Sequence, residues 1–246
     1  MKKVCMYYFT GSGNTLKIAK HIQTVFNENG YECSLRNMED SLEKNDELYT
    51  YIGLLFPVAI QSTFPLVWNF VNNLPEVTKQ KIFMVDTLES FSGGVVGPMK
   101  KILTKKGYHC VGAIEIKMSS SMQRNSKKVE ADQKKNVEAV KTASDFAKNL
   151  IAGKTRWNRV PILSDAMRSI SKDRSIWTKQ SQKLTIDHNL CIMCGICKKN
   201  CPVKAISDST GKIEINHNLC ESCMRCVNRC PKNAFKLGGK IVYQNK

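Results

Sequence analysis

Eight of the eleven cysteines of this 246-residue chain share one spacing that is written twice. Each copy reads C-x2-C-x2-C-x3-C-P. The first copy is Cys191, Cys194, Cys197 and Cys201, and the second is Cys220, Cys223, Cys226 and Cys230. Three closely spaced thiolates can bind three irons of one cubane cluster, and this spacing is typical of 4Fe-4S ligands. The pattern therefore predicts a protein that moves single electrons.

The fourth cysteine of each copy is expected to bind the other cluster, as it does where two clusters share this spacing. We therefore predict cluster I on Cys191, Cys194, Cys197 and Cys230, and cluster II on Cys220, Cys223, Cys226 and Cys201. The segment from Ile186 to Cys191 also aligns with that from Ile215 to Cys220, which indicates a duplicated unit with pseudo-twofold symmetry. Neither half is expected to fold alone.

Disulfides and structural zinc are the alternative uses of these cysteines. Cytosolic thiols stay reduced, and zinc favours separated pairs of ligands over triplets followed by Cys-Pro. We expect His188 and His217, which recur with the duplication, in turns or packing and not as ligands. Apolar residues around the motifs should keep water off the clusters. These residues are Ile192, Ile196, Val203, Ile206, Ile213 and Ile215.

A second motif lies between a short apolar run at 4–9 and a helical pattern that continues to residue 26. It consists of Thr10, Gly11, Ser12, Gly13, Asn14 and Thr15. The N–H groups of a helix N-terminus favour an anion, hydroxyl groups add donors, and glycines let the backbone close around it. The loop is neither a Walker A motif nor a dinucleotide fingerprint. We predict that it binds a phosphate monoester.

The letters Y-F-T-G-S-G-N-T resemble the FMN-phosphate loop of flavodoxins, and the resemblance extends over residues 1–150. Apolar strands near 49–56, 81–86 and 109–118 alternate with helical stretches, the last at 129–150. This order predicts an α/β, doubly wound parallel sheet of flavodoxin type. Its ligand should lie at the carboxyl ends of the strands, in loops 10–15, 57–62 and 87–94. Beyond the phosphate loop, the implied FMN contacts are Pro57, Val58, Ala59, Thr87, Leu88, Phe91, Ser92, Gly93 and Gly94.

The aromatic residues depart from the flavodoxin pattern, in which a Trp and a Tyr often enclose the ring. The second loop has no aromatic residue before Phe64, and the third contains only Phe91. One flavin face is therefore expected to be open, or covered by the second domain or a partner. We expect Trp68 and Phe70 in the core of a helix, and Cys5, Cys33 and Cys110 as small buried hydrophobic residues.

The whole pattern resembles the flavodoxin–ferredoxin fusions, iron–sulfur flavoproteins of anaerobes. The resemblance implies FMN, two 4Fe-4S clusters, a domain at 1–150, a linker at 151–182 and a small α+β ferredoxin-like domain at 183–246. It implies an electron-transfer protein that couples the clusters to FMN and passes low-potential electrons between redox partners. The alternatives are a flavin-dependent reductase of a quinone, nitro compound or disulfide, and a docking domain that has lost FMN.

The formal net charge of +17 predicts acidic protein partners, because a basic surface steers acidic molecules. Nucleic acid is not expected, since aromatic residues do not interleave with the basic ones. No membrane span is predicted, we expect a cytoplasmic protein, and a homodimer is left open. The linker is expected to be partly helical, with a stripe of Ile162, Leu163, Met167 and Ile170. Its cations are Lys154, Arg156, Arg159, Arg168, Lys172, Arg174, Lys179 and Lys183, against Asp165 and Asp173.

Overall fold

The computed structural model describes residues 2–40, 49–90, 93–119, 129–158, 167–169, 171–209 and 211–241. These residues form two compact units. Unit 1 contains the described residues up to Ser119 and those from Ala131 to Ser171, and unit 2 contains Val129, Glu130 and those from Lys172 onward. No described helix has both the length and the apolar character that crossing a membrane requires.

Unit 1 is built on a parallel sheet whose strands are β1 (Lys2–Tyr8), β2 (Tyr31–Asn37), β3 (Tyr51–Ala59), β5 (Lys81–Leu88) and β6 (His109–Lys117). A short strand, β4 (Ser62–Thr63), pairs antiparallel with the end of β3. The strand order is β2-β1-β3-β5-β6. Counted over the parallel strands alone, this is the order 2-1-3-4-5 of flavodoxin-like sheets. The predicted fold class of this part of the chain is confirmed.

The described helices between the strands of unit 1 are α1 (Asn14–Glu28), α2 (Pro65–Asn72) and α3 (Val96–Lys105). Helix α4 (Val129–Ile151) follows β6. Helices α1 and α4 pack on one face of the sheet, where Phe83 lies about 6 Å, centroid to centroid, from both Phe26 and Phe146. Trp68 and Phe70 are buried in α2, as predicted.

The other three cysteines are part of this unit. Cys5 and Cys33 are buried, and Cys110 is half-buried. Burial raises the pKa of all three thiols, to about 12 for Cys33. The prediction of small buried hydrophobic residues is confirmed for Cys5 and Cys33.

Unit 2 is a small α+β fold that begins with α5 (Arg174–Gln182). Two short helices follow, α6 (Ile196–Lys199) and α7 (Arg225–Arg229). The strands are β7 (Leu184–Ile186), β8 (Ile206–Ser207), β9 (Glu214–Ile215), β10 (Phe235–Leu237) and β11 (Lys240–Ile241). β10 pairs with β7 and β11, and β8 pairs with β9, all antiparallel.

The duplication seen in the sequence is also present in the hydrogen bonds of unit 2. The Asp187 N–H donates to the Ala234 carbonyl at 2.7 Å, and the equivalent Asn216 N–H donates to the Ala205 carbonyl at 2.8 Å. Each bond connects the start of one copy to the end of the other. The pseudo-twofold arrangement is therefore confirmed, and the two halves share one core around Leu184, Ile206, Ile213, Val227 and Phe235.

Candidate redox centres

Two cavities in unit 2 bring the eight motif cysteines together in two sets. The first cavity is lined by Cys191, Cys194, Cys197 and Cys230. The second cavity is lined by Cys220, Cys223, Cys226 and Cys201. The two sets are those that the crossed assignment pairs, and each supplies the four thiolates that one cubane needs. The binding of iron by these sets remains a prediction.

The two triplets have the same backbone conformation. The residues on either side of the second cysteine have positive φ angles, 55° and 70° at Met193 and Gly195, and 53° and 62° at Ser222 and Met224. Left-handed residues in a loop turn successive N–H groups toward one side, which favours an anionic group. Three of these four residues are not glycine, and such backbone is retained where surrounding structure demands it.

The fourth cysteine of each copy accepts a hydrogen bond to its sulfur. The Ala205 N–H lies 3.2 Å from Cys201 Sγ, and the Ala234 N–H lies 3.3 Å from Cys230 Sγ. Donors to cluster sulfur raise the reduction potential, because they stabilise the added negative charge. The two bonds have similar lengths, so the fourth cysteines of the two motifs have nearly the same local hydrogen bonding.

The side chains around the two cavities differ. Ile192, Ile196 and Phe235 line the first cavity, whereas Glu221 and Arg225 line the second. Ile206 and Ile213 are buried, as an apolar shell requires, but Ile192 is 57 % exposed and Ile196 is 37 % exposed. The predicted shell is thus incomplete around the first cavity, where two of its members face solvent.

Burial disfavours the ionised form of several of the thiols. It raises the pKa of Cys223 to about 12 and raises the pKa values of Cys226 and Cys197. A cluster binds thiolates, so iron must displace these protons. No three His, Cys, Asp or Glu side chains among the described residues converge to hold a metal ion. The cysteines line each cavity instead, which suits ligands that bind separate irons.

Helix α5 is hydrogen-bonded to the second motif. The Ser181 hydroxyl lies 2.8 Å from His217 Nδ1. Arg174 donates to the Asn218 carbonyl at 2.8 Å and to the Cys220 carbonyl at 3.1 Å. His217 therefore has the packing role that we predicted. Arg174, expected as part of a basic linker surface, instead holds the helix against the loop that carries Cys220.

In unit 1, the predicted phosphate loop leads directly into α1. Gly13 at the N-cap has φ 102°, which glycine adopts easily, and no side chain caps the helix. The uncapped N–H groups of the first turn suit an anion. The Thr10 hydroxyl accepts a bond from the Gly13 N–H at 3.0 Å, and Gly11 and Ser12 are half-buried. This part of the structure fits a phosphate.

Two other members of the loop have partners inside the protein. The Asn14 side-chain amide donates to the Ser119 carbonyl at 3.0 Å. The Thr15 hydroxyl is buried and lies 2.8 Å from the Thr87 hydroxyl. Thr15 and Asn14 therefore anchor the loop to β5 and to the residues after β6. We had expected the Thr15 hydroxyl to be a free donor.

The second and third predicted loops begin later than the sequence suggested. β3 continues through Pro57, Val58 and Ala59, and β5 continues through Thr87 and Leu88. The chain reverses at Ile60 and Gln61, and β4 returns alongside the end of β3. The Thr63 hydroxyl donates to the Pro57 carbonyl at 2.8 Å, which closes the hairpin. These five predicted FMN contacts are thus strand residues.

The remaining parts of these two loops are bonded to each other. The Gly94 N–H donates to the Gln61 carbonyl at 2.7 Å, and the Ser62 hydroxyl donates to the Gly94 carbonyl at 3.4 Å. The amide of Gly94, one of the predicted FMN contacts, therefore already donates to a protein carbonyl. Gly93 is half-buried, with φ 58°. Phe91 and Ser92 lie outside the described residues.

Arg168, from the predicted linker, contacts these loops. Its guanidinium lies 4.0 Å from the centroid of the Trp68 ring. A Cβ added to Gly94 would lie 2.8 Å from the backbone nitrogen of Arg168. Partial burial lowers the pKa of Arg168. Trp157 is also buried on unit 1, where its indole N–H donates to the Val96 carbonyl at 3.0 Å. Other linker residues, Arg159, Ile162, Leu163, Asp165 and Ile170, lie outside the described residues.

Asp86 is a buried acid that sequence reasoning did not single out. It lies in β5 immediately before Thr87, is fully buried, and neither carboxyl oxygen has a hydrogen-bond partner among the described residues. Burial, and then the charge of Glu115 in register on β6, raise the pKa of Asp86 well above its usual value. A buried acid without a partner near a predicted ligand site is a candidate functional group.

Comparison with known proteins adds a family match for unit 2. Residues 183–231 match the family model of the 4Fe-4S dicluster domain. No curated protein matches the chain.

Several solved structures resemble unit 1 at low TM-scores. Rubredoxin oxygen:oxidoreductase from the anaerobe Desulfovibrio gigas is 14 % identical, with a TM-score of 0.44 over 62 % of this chain and 37 % of that one. Oxidised flavodoxin 2 from Bacillus cereus is 18 % identical, with a TM-score of 0.48 over 61 % and 98 %. Two-electron reduced Megasphaera elsdenii flavodoxin is 21 % identical, with a TM-score of 0.42 over 56 % and 98 %. The fold assignment rests on the strand order.

Proposed function

We propose that this chain, which joins a sheet of flavodoxin strand order to a 4Fe-4S dicluster domain, transfers electrons between redox proteins through two 4Fe-4S clusters and FMN. The observation that carries the proposal is the pair of cavities, each lined by three cysteines of one motif and the fourth of the other. Cysteine ligation and little else is what such clusters need from a protein.

The residues of unit 2 would bind the clusters and keep them close together. Cys197 of the first cavity lies within α6, and Cys201 of the second cavity follows the C-cap residue of that helix. The two sites are therefore neighbours. Ile206 and Ile213 exclude water from the shared core. A dry environment and N–H donors to sulfur are the means by which a protein sets cluster potential.

The residues of unit 1 would hold FMN by its phosphate. The N-terminus of α1 and the backbone of Gly11, Ser12 and Gly13 are the parts that fit this group. Thr15 and Asn14 would act indirectly, by fixing the loop to β5 and to Ser119. When bound, a flavin supplies a centre that takes one or two electrons. It would connect one-electron clusters to two-electron partners.

Acidic redox proteins are the proposed partners. The chain carries a formal charge of +17, and two clusters with FMN offset only part of it. Opposite charge accelerates encounter more than it tightens the complex. Transfer should therefore slow as salt is added.

The test is the iron, sulfide and flavin content of anaerobically purified protein, with a dithionite titration of its visible spectrum. Two cubanes and one flavin correspond to about eight irons and one FMN per chain. About eight irons without flavin, even after FMN is added, would remove the flavin from the proposal. Protein without iron would refute it entirely. Turnover of quinones or nitro compounds would favour a reductase instead.

A further inference from the structure

We propose that an acidic redox protein docks on the surface around the first motif and exchanges electrons with the chain through cluster I. This surface, called the first-motif face, consists of Leu190, Ile192, Met193 and Ile196 around Cys194. The proposal rests on the proposed function, because it requires that the first cavity holds a cluster. It adds the place of exchange and the nature of the partner's surface.

The first-motif face exposes most of the large apolar side chains that reach solvent in the described residues. The exposed fractions are 57 % for Ile192, 43 % for Met193, 40 % for Leu190 and 37 % for Ile196. Among the residues that the structure describes, only Val137 and Leu219 are comparably exposed outside this face. Exposed apolar side chains grouped in one short stretch of the chain are typical of an interaction site.

The second motif provides an internal control, because it has the same backbone with different side chains. Ile192 and Ile196 of the first motif correspond to Glu221 and Arg225 of the second. Glu221 and Arg225 are each only 7 % exposed. The shared loop geometry therefore does not require exposed isoleucines, and a reason for them must be sought outside the fold.

The cysteines follow the same asymmetry. Cys194 is exposed, whereas the equivalent Cys223 is half-buried. Ile192 and Ile196 line the first cavity as well as facing solvent. A partner seated on these side chains would thus be separated from the first cavity by a single layer of residues. Electron exchange requires such a short separation, which makes an electron-transfer protein the occupant that suits this surface.

The charges beside the first-motif face favour an acidic partner. Lys199 is exposed, and exposed Lys232 contributes to the lining of the first cavity. Lys198 is paired with Asp208 at 2.6 Å, so it contributes less. An apolar centre with a charged rim is the usual anatomy of a transient interface. A second copy of the chain would be repelled, since it carries the same net charge of +17.

The test compares Leu190→Glu with Leu219→Glu. The two leucines occupy equivalent positions of the duplicated unit, are 40 % and 49 % exposed, and undergo the same change of charge. The assay is anaerobic stopped-flow reduction of the iron-loaded full chain by an acidic 2Fe-2S ferredoxin, at several salt concentrations. We expect Leu190→Glu to lower the second-order rate constant by about tenfold, and Leu219→Glu by less than about twofold.

Iron content and the electron paramagnetic resonance of both clusters are measured first in every variant. Wild-type chains without clusters would refute the proposed function, which separates that failure from a failure of docking. Ile192→Glu, at the most exposed position of the face, is a second variant with the same expected result.

Three results would overturn the docking proposal. Equal loss in the two leucine variants would show a general charge effect. Loss in Leu219→Glu alone would place exchange at the second motif. Self-association of the wild-type chain through Leu190 would assign the face to a second copy. Binding of anionic phosphatidylserine vesicles through Leu190, with unchanged ferredoxin kinetics in Leu190→Glu, would assign the face to a membrane surface.

Discussion

Replacing Asp86 by asparagine should stabilise unit 1 at neutral pH. The carboxyl is fully buried, and neither of its oxygens has a hydrogen-bond partner in the part of the chain that the structure describes. Burial is the main cause of its raised pKa, and Glu115, in register on β6, adds to it. Glu115 has a raised pKa as well, mainly through burial and with Lys117 opposing it. Asparagine has nearly the same shape but cannot ionise, so it isolates the effect of the proton.

The magnitude follows from proton linkage. An unfolded aspartate has a pKa of about 3.9, whereas folded Asp86 keeps its proton to higher pH. Between the two pKa values the wild type releases a proton on unfolding, and its free energy of unfolding falls by about 1.4 kcal/mol per pH unit. The contribution is fully present below the unfolded pKa and is lost as pH rises toward the folded one. Asp86→Asn does not undergo this loss. Its free energy of unfolding relative to wild type should therefore rise by about 1.4 kcal/mol per pH unit over the same range.

The assay is urea unfolding of the full chain at a series of pH values, with a hydrogen-exchange pulse at fixed pH to report peptides of β5. Exchange in the β5 peptides reports the unfolding of unit 1 separately from that of unit 2. Glu115→Gln, which retains Asp86 and removes its charged neighbour, is the control and should shift the profile only slightly. Parallel pH profiles for wild type and Asp86→Asn would refute the reasoning. A variant less stable at every pH would show that the site does not accommodate the asparagine amide, whatever the charge of Asp86.

Two further predictions concern the backbone and the ligand sets. Gly107→Ala should destabilise unit 1 by about 2–4 kcal/mol, because φ is 86° and the added Cβ would overlap the Val77 carbonyl oxygen. Gly153→Ala, with φ 69° but open space, should cost less, and equal melting temperatures would contradict this. Cys201→Ala should reduce the paramagnetic signal of cluster II and spare cluster I, with the reverse for Cys230→Ala. Loss of the other cluster in either variant would exclude crossed ligation.

The parts of the structure that could be predicted are those encoded by local spacing. The cysteine triplets and the strand–loop–helix at the phosphate loop need only neighbouring residues to be recognised. Strand ends are less local. Pro57 suggested a loop, yet β3 continues to Ala59 because β4 returns beside it and Thr63 bonds to the Pro57 carbonyl.

The roles of individual site residues were harder to predict because their partners are distant in sequence. Thr15 pairs with Thr87, and the Asn14 amide reaches Ser119. A motif indicates which residue types are present, but not which of them the fold uses for its own support. The Gly94 amide is a further example, since Gln61 accepts its bond.

Arg168 and Asp86 were missed because tertiary contacts alone make them unusual. Arg168 was one cation in a basic stretch until the fold placed it over the Trp68 ring. Asp86 was an ordinary acid near a strand end, and its isolation follows from complete burial beside Glu115. Neither property has a signature in composition or periodicity.

The exchange of cysteines between the two cavities has a consequence for biosynthesis. A ribosome that has just produced Cys191, Cys194 and Cys197 has made only three of the four residues that line the first cavity. Cys230, the fourth, is translated after the whole second triplet. Cys201 meanwhile waits for partners that have not yet been made. Neither site can be completed before the second motif has left the exit tunnel, so cluster insertion should follow that step, and chains terminated before Cys226 should carry no complete set of ligands.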